Sequence, residues 1–201
     1  MDDILQGYAA AATPSLIARY DRLDVQKVYA PVLDLLPTAP VRVCDIGTGT
    51  GRDAAWFAAR GYKVLALEPV AELHEAGIAL HPYERITWLD DRLPHLAKTT
   101  QHGRFDLVTL CGVWQHLEED ARDIAVANLA EITAPGGMLV MSLRHGPGVA
   151  GRRVFPLDPH ETIQAACRQG FSLLRRVETG SIQPGNIAAG VRWTWLVLKN
   201  S

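Results

Sequence analysis

The residues in this 201-residue sequence that can do chemistry fall into two sets. One is acidic. Asp45 and Asp53 flank the run Gly47-Thr48-Gly49-Thr50-Gly51, and Glu68 ends the next apolar stretch. Carboxylates around a bare glycine turn suit a ligand with cationic character, and the two oxygens of one carboxylate can accept from two vicinal hydroxyls. The other set is basic. His116 follows the apolar run 105–111, and Arg144, His145, Arg152 and Arg153 crowd the segment beyond 138–143. Imidazole titrates near neutrality and can take a proton from a reacting group. Guanidinium groups bind carboxylate or phosphate bidentately, although a solvated loop face is the competing reading for these arginines.

The elements that must position these groups follow a strand-helix rhythm. Val41–Ile46 alternates as a buried strand, the glycines make a turn, and Ala54 onward begins a helix that stops at Gly61. That order creates a ligand site at a helix N-terminus. The glycine spacing differs from the G-x-G-x-x-G of dinucleotide sites, and Asp53 in the first helical turn would repel a pyrophosphate. Lys63–Leu67 is a second strand. It ends at Glu68-Pro69, about twenty residues past the central glycine, where such folds place an acid for ribose hydroxyls. Arg85–Leu89 is a third strand, closed by Asp90-Asp91, and Phe105–Cys111 a fourth, with Asp106 structural at its far end. Glu118–Thr133 reads as a helix with Ile124, Leu129 and Ile132 inward. Ala134-Pro135-Gly136-Gly137 turns into a fifth strand at 138–143.

Upstream, Thr13-Pro14 and Asp24 read as caps of two helical segments within residues 13–36, closed by Pro37 and Pro40. Tyr8 and Tyr20 read there as core aromatics. Downstream, a helix from Asp158 or Pro159 to Gln169 precedes strands at 171–178 and 191–199. No helix is expected between those two strands, so they must pair antiparallel.

From residue 41 onward the sequence resembles the class I S-adenosylmethionine-dependent methyltransferases. The resemblance rests on Asp45-x-Gly47-x-Gly49-x-Gly51, the acid at Glu68, the Pro-Gly-Gly-x-Leu turn at 135–139 and the closing strand pair. It implies a doubly wound, Rossmann-like α/β fold. The expected sheet has seven mainly parallel strands closed by an antiparallel C-terminal hairpin, in one domain spanning 1–201. Residues 1–40 would form a helical lid and 41–201 the core. It implies S-adenosylmethionine (SAM) as cofactor, with Asp45, Gly47, Thr48, Gly49, Gly51, Asp53, Glu68, Pro69, Cys111 and Val113 around it and Asp90 or Asp91 at the adenine. His116, with His145 behind it, would be the candidate base, and Trp114 and Arg144 would face the methyl acceptor.

A small molecule is the expected acceptor. The chain lacks the Asn/Asp-Pro-Pro-Tyr/Phe motif of many enzymes acting on nucleobase amino groups and the cysteine pair used on pyrimidine rings. A SAM-binding protein without transfer, or transfer to a protein or nucleic acid, are the alternatives. The glycine spacing and the hairpin oppose a nicotinamide oxidoreductase. A formal net charge of −2 leaves no electrostatic footprint for nucleic acid or anionic membrane. The acidic N-terminus, with no long apolar run, resembles neither a signal peptide nor a membrane span. Cys44, Cys111 and Cys167 lack metal-ligand spacing and read as reduced thiols. The expectation is a cytoplasmic protein, monomer or homodimer, without a metal.

Overall fold

Nearly continuous apolar runs make strands that are buried on both faces, which is how parallel sheets are covered. The computed structural model describes residues 2–201 and contains seven strands. They are β1 (Arg42–Ile46), β2 (Lys63–Leu67), β3 (Ile86–Leu89), β4 (Phe105–Cys111), β5 (Thr133–His145), β6 (Phe171–Gly180) and β7 (Arg192–Asn200). Their order in the sheet is β3-β2-β1-β4-β5-β7-β6. β7 alone runs against its neighbours, pairing antiparallel with both β5 and β6. The expected architecture, a parallel sheet closed by an antiparallel hairpin, is the observed one.

Successive side chains on each strand go to opposite faces. Val43, Val64, Ala66 and Leu107 pack on one face with α3 (Val25–Tyr29) and α4 (Arg52–Ala58). Cys44, Ile46, Leu65, Leu67 and Val108 pack on the other with α6 (Glu119–Ile132) and α7 (Pro159–Arg168). The strand order reverses between β1 and β4, and in such sheets the crevice at the carboxyl ends of these strands holds ligand.

Local signals explain most boundaries, and several expectations need correcting. Thr13 Oγ1 accepts from Leu16 N at 3.3 Å and caps α2 (Pro14–Asp21). Asp24 Oδ1 accepts from Gln26 N at 2.9 Å and caps α3. The segment from Asp24 does not stay helical to Leu36: α3 stops at Tyr29, because Pro31 has no N–H and its ring obstructs a continuing helix. Only a 3₁₀ turn at Leu33–Leu35 follows. α1 (Asp2–Ala11) precedes them, with Asp2 and Asp3 at its positive end. α5 (Ala71–Leu80) lies between β2 and β3.

On α6 the inward side chains are Ala125, Val126, Leu129 and Ile132, whereas Ile124 is exposed. The turn at 134–137 does not precede β5 but bulges within it. Opposite β4, the partners jump from Thr133 at Phe105 to Met138 at Leu107. A short helix, α8 (Pro184–Ala188), does interrupt the β6–β7 connection, started by Pro184 in its first turn. The pairing of β6 with β7 is unaffected. Among the described residues no helix is long and apolar enough to cross a membrane.

Candidate active site

At the β1 tip the chain turns through Gly47, Gly49 and Gly51 into α4, and all three have positive φ, between 61° and 79°. What surrounds them differs. A Cβ on Gly49 would meet nothing within 4 Å, so this glycine presents bare backbone to open space. A Cβ on Gly47 would strike Val113, so Val113 closes one side of the turn. Gly51 is pressed against the Trp88 ring and does not line the cleft.

That open space is part of a cleft of about 860 Å³, lined by the carboxyl ends of the central strands and by the N-terminal helices. Such a volume lies at the upper end for ligand sites. Asp45, Gly47, Thr48, Gly49, Asp53, Glu68, Pro69, Cys111 and Val113 all line it.

Asp45 braces the turn, its two oxygens accepting from Thr48 Oγ1 at 2.6 Å and Thr109 Oγ1 at 2.7 Å. Burial, reinforced by the Asp53 charge, holds its carboxyl above the ordinary range. Glu68 crosses to the same turn. Its Oε2 accepts from Gly49 N at 2.8 Å and its Oε1 from Val70 N at 2.9 Å. Each oxygen keeps a lone pair for a further donor. Burial pushes Glu68 up to about 7 despite these bonds. Asp53 is less available than its position in the sequence suggests. It is ion-paired with Arg52 Nε at 2.6 Å and accepts from Tyr29 Oη at 3.4 Å. Cys111 Sγ lies 3.2 Å from the same Tyr29 hydroxyl, and burial raises its thiol pKa.

The acidic doublet after β3 divides. Asp90 is exposed, pairs with Lys98 at 3.5 Å and does not line the cleft. Asp91 does line it, but the carboxylate organises its own loop. It accepts from Arg92 N, Lys98 N, Thr99 N and Thr99 Oγ1 at 2.6–2.9 Å. Burial would raise its pKa, yet these bonds bring it below the ordinary value.

Beyond β4, Trp114 is removed from the acceptor wall. Its indole is fully buried in the core, where Nε1 donates to Thr162 Oγ1 at 3.2 Å. The largest apolar side chain of the segment turns inward because burying it returns the most apolar area. His145 is also off the cleft, its Nε2 2.8 Å from Thr194 Oγ1 on β7.

His116 does line the cleft. Its Nδ1 lies 2.7 Å from the Arg153 carbonyl and its Nε2 lies 3.0 Å from Tyr8 Oη. A carbonyl only accepts, so Nδ1 carries the proton. Burial lowers the His116 pKa, so the ring is neutral and Nε2 accepts from the Tyr8 hydroxyl. Arg144 reaches from the end of β5, donating from Nη1 to the Pro147 carbonyl at 2.7 Å.

Tyr8 and Tyr20, which helical spacing assigns to the core, line the cleft instead. So does Arg152, whose Nη1 donates to Tyr20 Oη at 2.9 Å while its guanidinium lies 5.2 Å from the Tyr8 ring centre. Gln115 and Trp193 complete this end. Arg152 stands out in the sequence as one of the clustered arginines, but no local signal turns Tyr8, Tyr20, Gln115 or Trp193 to the cleft, because α1, α2 and the segment 146–156 meet only in the folded chain. The meeting is tight: a Cβ on Gly7 would stand 1.7 Å from the Gly151 carbonyl oxygen.

A family model described as "Methyltransferase domain" matches residues 18–169. No curated protein sequence matches significantly. Solved structures share the fold at low identity. A TehB-like SAM-dependent methyltransferase from Corynebacterium glutamicum is 19% identical with a TM-score of 0.65, covering 94% of this chain and 100% of its own. The 1,6-didemethyltoxoflavin-N1-methyltransferase of Burkholderia thailandensis, solved with 1,6-didemethyltoxoflavin and S-adenosylhomocysteine, is 20% identical with a TM-score of 0.64, covering 93% and 88%. The magnesium protoporphyrin IX methyltransferase of Synechocystis PCC 6803, solved with SAM, is 18% identical with a TM-score of 0.63, covering 100% and 83%. With three quarters of its length matched by that domain and the strand order of the class in place, this chain belongs to the class I S-adenosylmethionine-dependent methyltransferases.

Proposed function

We propose that the chain transfers the methyl group of SAM to a small-molecule acceptor bound beneath α1 and α2, which act as a lid. The observation that carries this reading is the polarity of the cleft. Buried carboxylates stand at the β1 and β2 tips, while His116, Arg144 and Arg152 stand beyond β4 and β5.

The residues at the acidic end fit the cofactor. Gly49 leaves room for a ligand against the main chain, and the Glu68 oxygens can each accept from a ribose hydroxyl. Asp45 and Glu68 complement cationic groups, whereas Asp53 contributes little because Arg52 neutralises it. Gly47, Thr48, Pro69, Cys111 and Val113 would form the remaining walls, with Asp91 shaping the adenine end through its loop. SAM supplies an electrophilic methyl that a nucleophile displaces in line from sulfur.

The protein's part is to hold the nucleophile, exclude water and receive a proton where one is released. His116 is suited to receive it, being neutral, with its tautomer fixed by the Arg153 carbonyl and its lone pair on Nε2. Tyr8 lies between that lone pair and the cleft. The acceptor's proton passes to Tyr8 Oη as the phenolic proton moves to His116 Nε2, and the phenol stays neutral throughout.

The test is a screen of small acids, phenols and amines with labelled SAM, followed by His116→Ala on whichever compound is methylated. The variant is expected to lose about 10²–10⁴-fold in kcat while retaining S-adenosylhomocysteine affinity. Unchanged kcat would remove His116 from the chemistry. Label appearing only in added protein or nucleic acid would overturn the small-molecule assignment.

A further inference from the structure

Five arginines line the cleft; Arg19 and Arg92 are exposed, and the three half-buried ones, Arg52, Arg144 and Arg152, are compensated differently. Arg52 has its counter-ion, Asp53, at 2.6 Å. Arg144 and Arg152 have no carboxylate within 4.0 Å among the described residues. Arg153, adjacent in sequence, points elsewhere and pairs at 3.6 Å with both Asp3 and Glu118. The segment 144–153 therefore sends two of its three arginines, uncompensated, into the cleft.

Both are held by neutral groups that leave donors over. Arg144 uses Nη1 on the carbonyls of Gly146 and Pro147 at 3.4 and 2.7 Å. Arg152 uses Nη1 on Tyr20 Oη at 2.9 Å. The Nε–H of Arg152 is buried and has no hydrogen-bond partner among the described residues. A charged donor shielded from water and left unpaired is costly, so its partner is expected to be supplied from outside the chain.

The two cations also act on one space. Burial lowers the pKa of Arg144, and the Arg152 charge adds to that. Burial lowers that of His116, and both arginines contribute. Two like charges that share a water-poor wall repel each other, and an anion between them would remove the repulsion. Tyr8, Tyr20 and Trp193 add flat aromatic walls. At the opposite end Asp45 and Glu68 repel an anion, so the cleft orients as well as attracts.

We propose that Arg144 and Arg152 form an anion subsite, and that the acceptor carries a carboxylate or phosphate bound between them, on or beside an aromatic ring. Calling the ligand the acceptor rests on the transfer reading above, but the anion subsite itself does not. The Arg152 Nε–H and the remaining guanidinium donors of both residues would point to the anion's oxygens. The reacting atom would then lie on the His116 side, toward Tyr8.

The experiment titrates inorganic phosphate, benzoate and the neutral isostere benzamide by calorimetry, with and without saturating S-adenosylhomocysteine. Benzoate or phosphate is expected to bind at least about tenfold more tightly than benzamide, and the stronger of the two identifies the carboxylate or phosphate preference. Arg144→Gln combined with Arg152→Gln should erase that advantage while S-adenosylhomocysteine affinity stays within about threefold. If the double variant fails to fold, the wild type still decides. Benzoate or phosphate affinity should fall with added sodium chloride, and benzamide affinity should not. Benzamide binding as well as both anions, or anion binding indifferent to salt and to the substitutions, overturns the proposal. A wild type that binds the anions but not S-adenosylhomocysteine would leave the subsite standing and overturn the cofactor reading instead.

Discussion

Glu68 makes the stability of the cofactor-free protein depend on pH in an unusual direction for a carboxylate. Burial raises its pKa from 4.5 to about 7. Between those values the folded chain keeps a proton that the unfolded chain has released. Its contribution is therefore full below the unfolded value and is lost as pH rises through the folded one. The difference between the two values corresponds to about 3 kcal/mol. For a chain of this size that is roughly 6–12 °C in Tm. Asp45, raised by the same burial, acts in the same direction, so the Glu68 part must be isolated by difference. Glu68→Gln does not titrate, but its amide nitrogen cannot accept from Gly49 N or Val70 N as the carboxyl oxygens do, so the variant carries a pH-independent deficit and the change of the difference with pH is what isolates Glu68. From about pH 5 to about pH 8 the wild type should lose up to about 3 kcal/mol relative to the variant, read from urea denaturation at half-unit steps. A wild-type-minus-variant difference that stays flat across the window would show Glu68 ionised throughout, and its burial would then not carry the cost argued here.

Two further outcomes test other parts of the site. Gly49→Val should lower Tm by a few degrees through its positive φ, yet reduce S-adenosylhomocysteine affinity by about 100-fold or more by filling the open space beside the turn. Calorimetric affinity within threefold of wild type would mean that the ligand does not lie on this glycine. Gly7→Ala cannot fit against the Gly151 carbonyl, so α1 should lift. Faster amide exchange confined to α1 and residues 146–156 is the expected sign, and exchange that accelerates across the whole sheet would refute a local docking role.

Much of this arrangement was legible because it is local. The turn after β1 needs left-handed backbone, and alternating glycines announce it. β1, β2 and β4 announce themselves by nearly continuous apolar runs, whereas the edge strand β6 carries Arg175, Arg176 and Glu178. Thr13, Asp24 and Asp158 announced helix starts through short-range bonds. The failures came where a residue's direction depends on partners distant in sequence. Trp114 and His116 sit two positions apart, yet one is swallowed by the core and the other faces the cleft. Nothing in their spacing distinguishes them. Asp90 and Asp91 present the same problem, resolved by the amides of Lys98 and Thr99. Tyr8 and Tyr20 look like core aromatics because the surface they cover is built by residues 144–154, more than a hundred positions away. The arginine cluster was visible as a composition, but which members face inward depends on where Asp3 and Glu118 lie.

The partner that fixes the His116 tautomer is a main-chain carbonyl, and Phe155 N returns a 2.8 Å bond to the carbonyl of Gln115 beside it. One side chain-to-backbone bond and one backbone-to-backbone bond thus lace the segment around 153–155 to the one around 115–116, and neither uses a side chain of the former. Every side chain from Arg153 to Phe155 can be exchanged without removing the acceptor that holds the Nδ1 proton. Val154, the side chain of this stretch that lines the cleft, is in this way free to change its chemistry while the imidazole beside it keeps the same face to the cleft. A change in backbone path there, such as a one-residue deletion, would turn the ring where no substitution does.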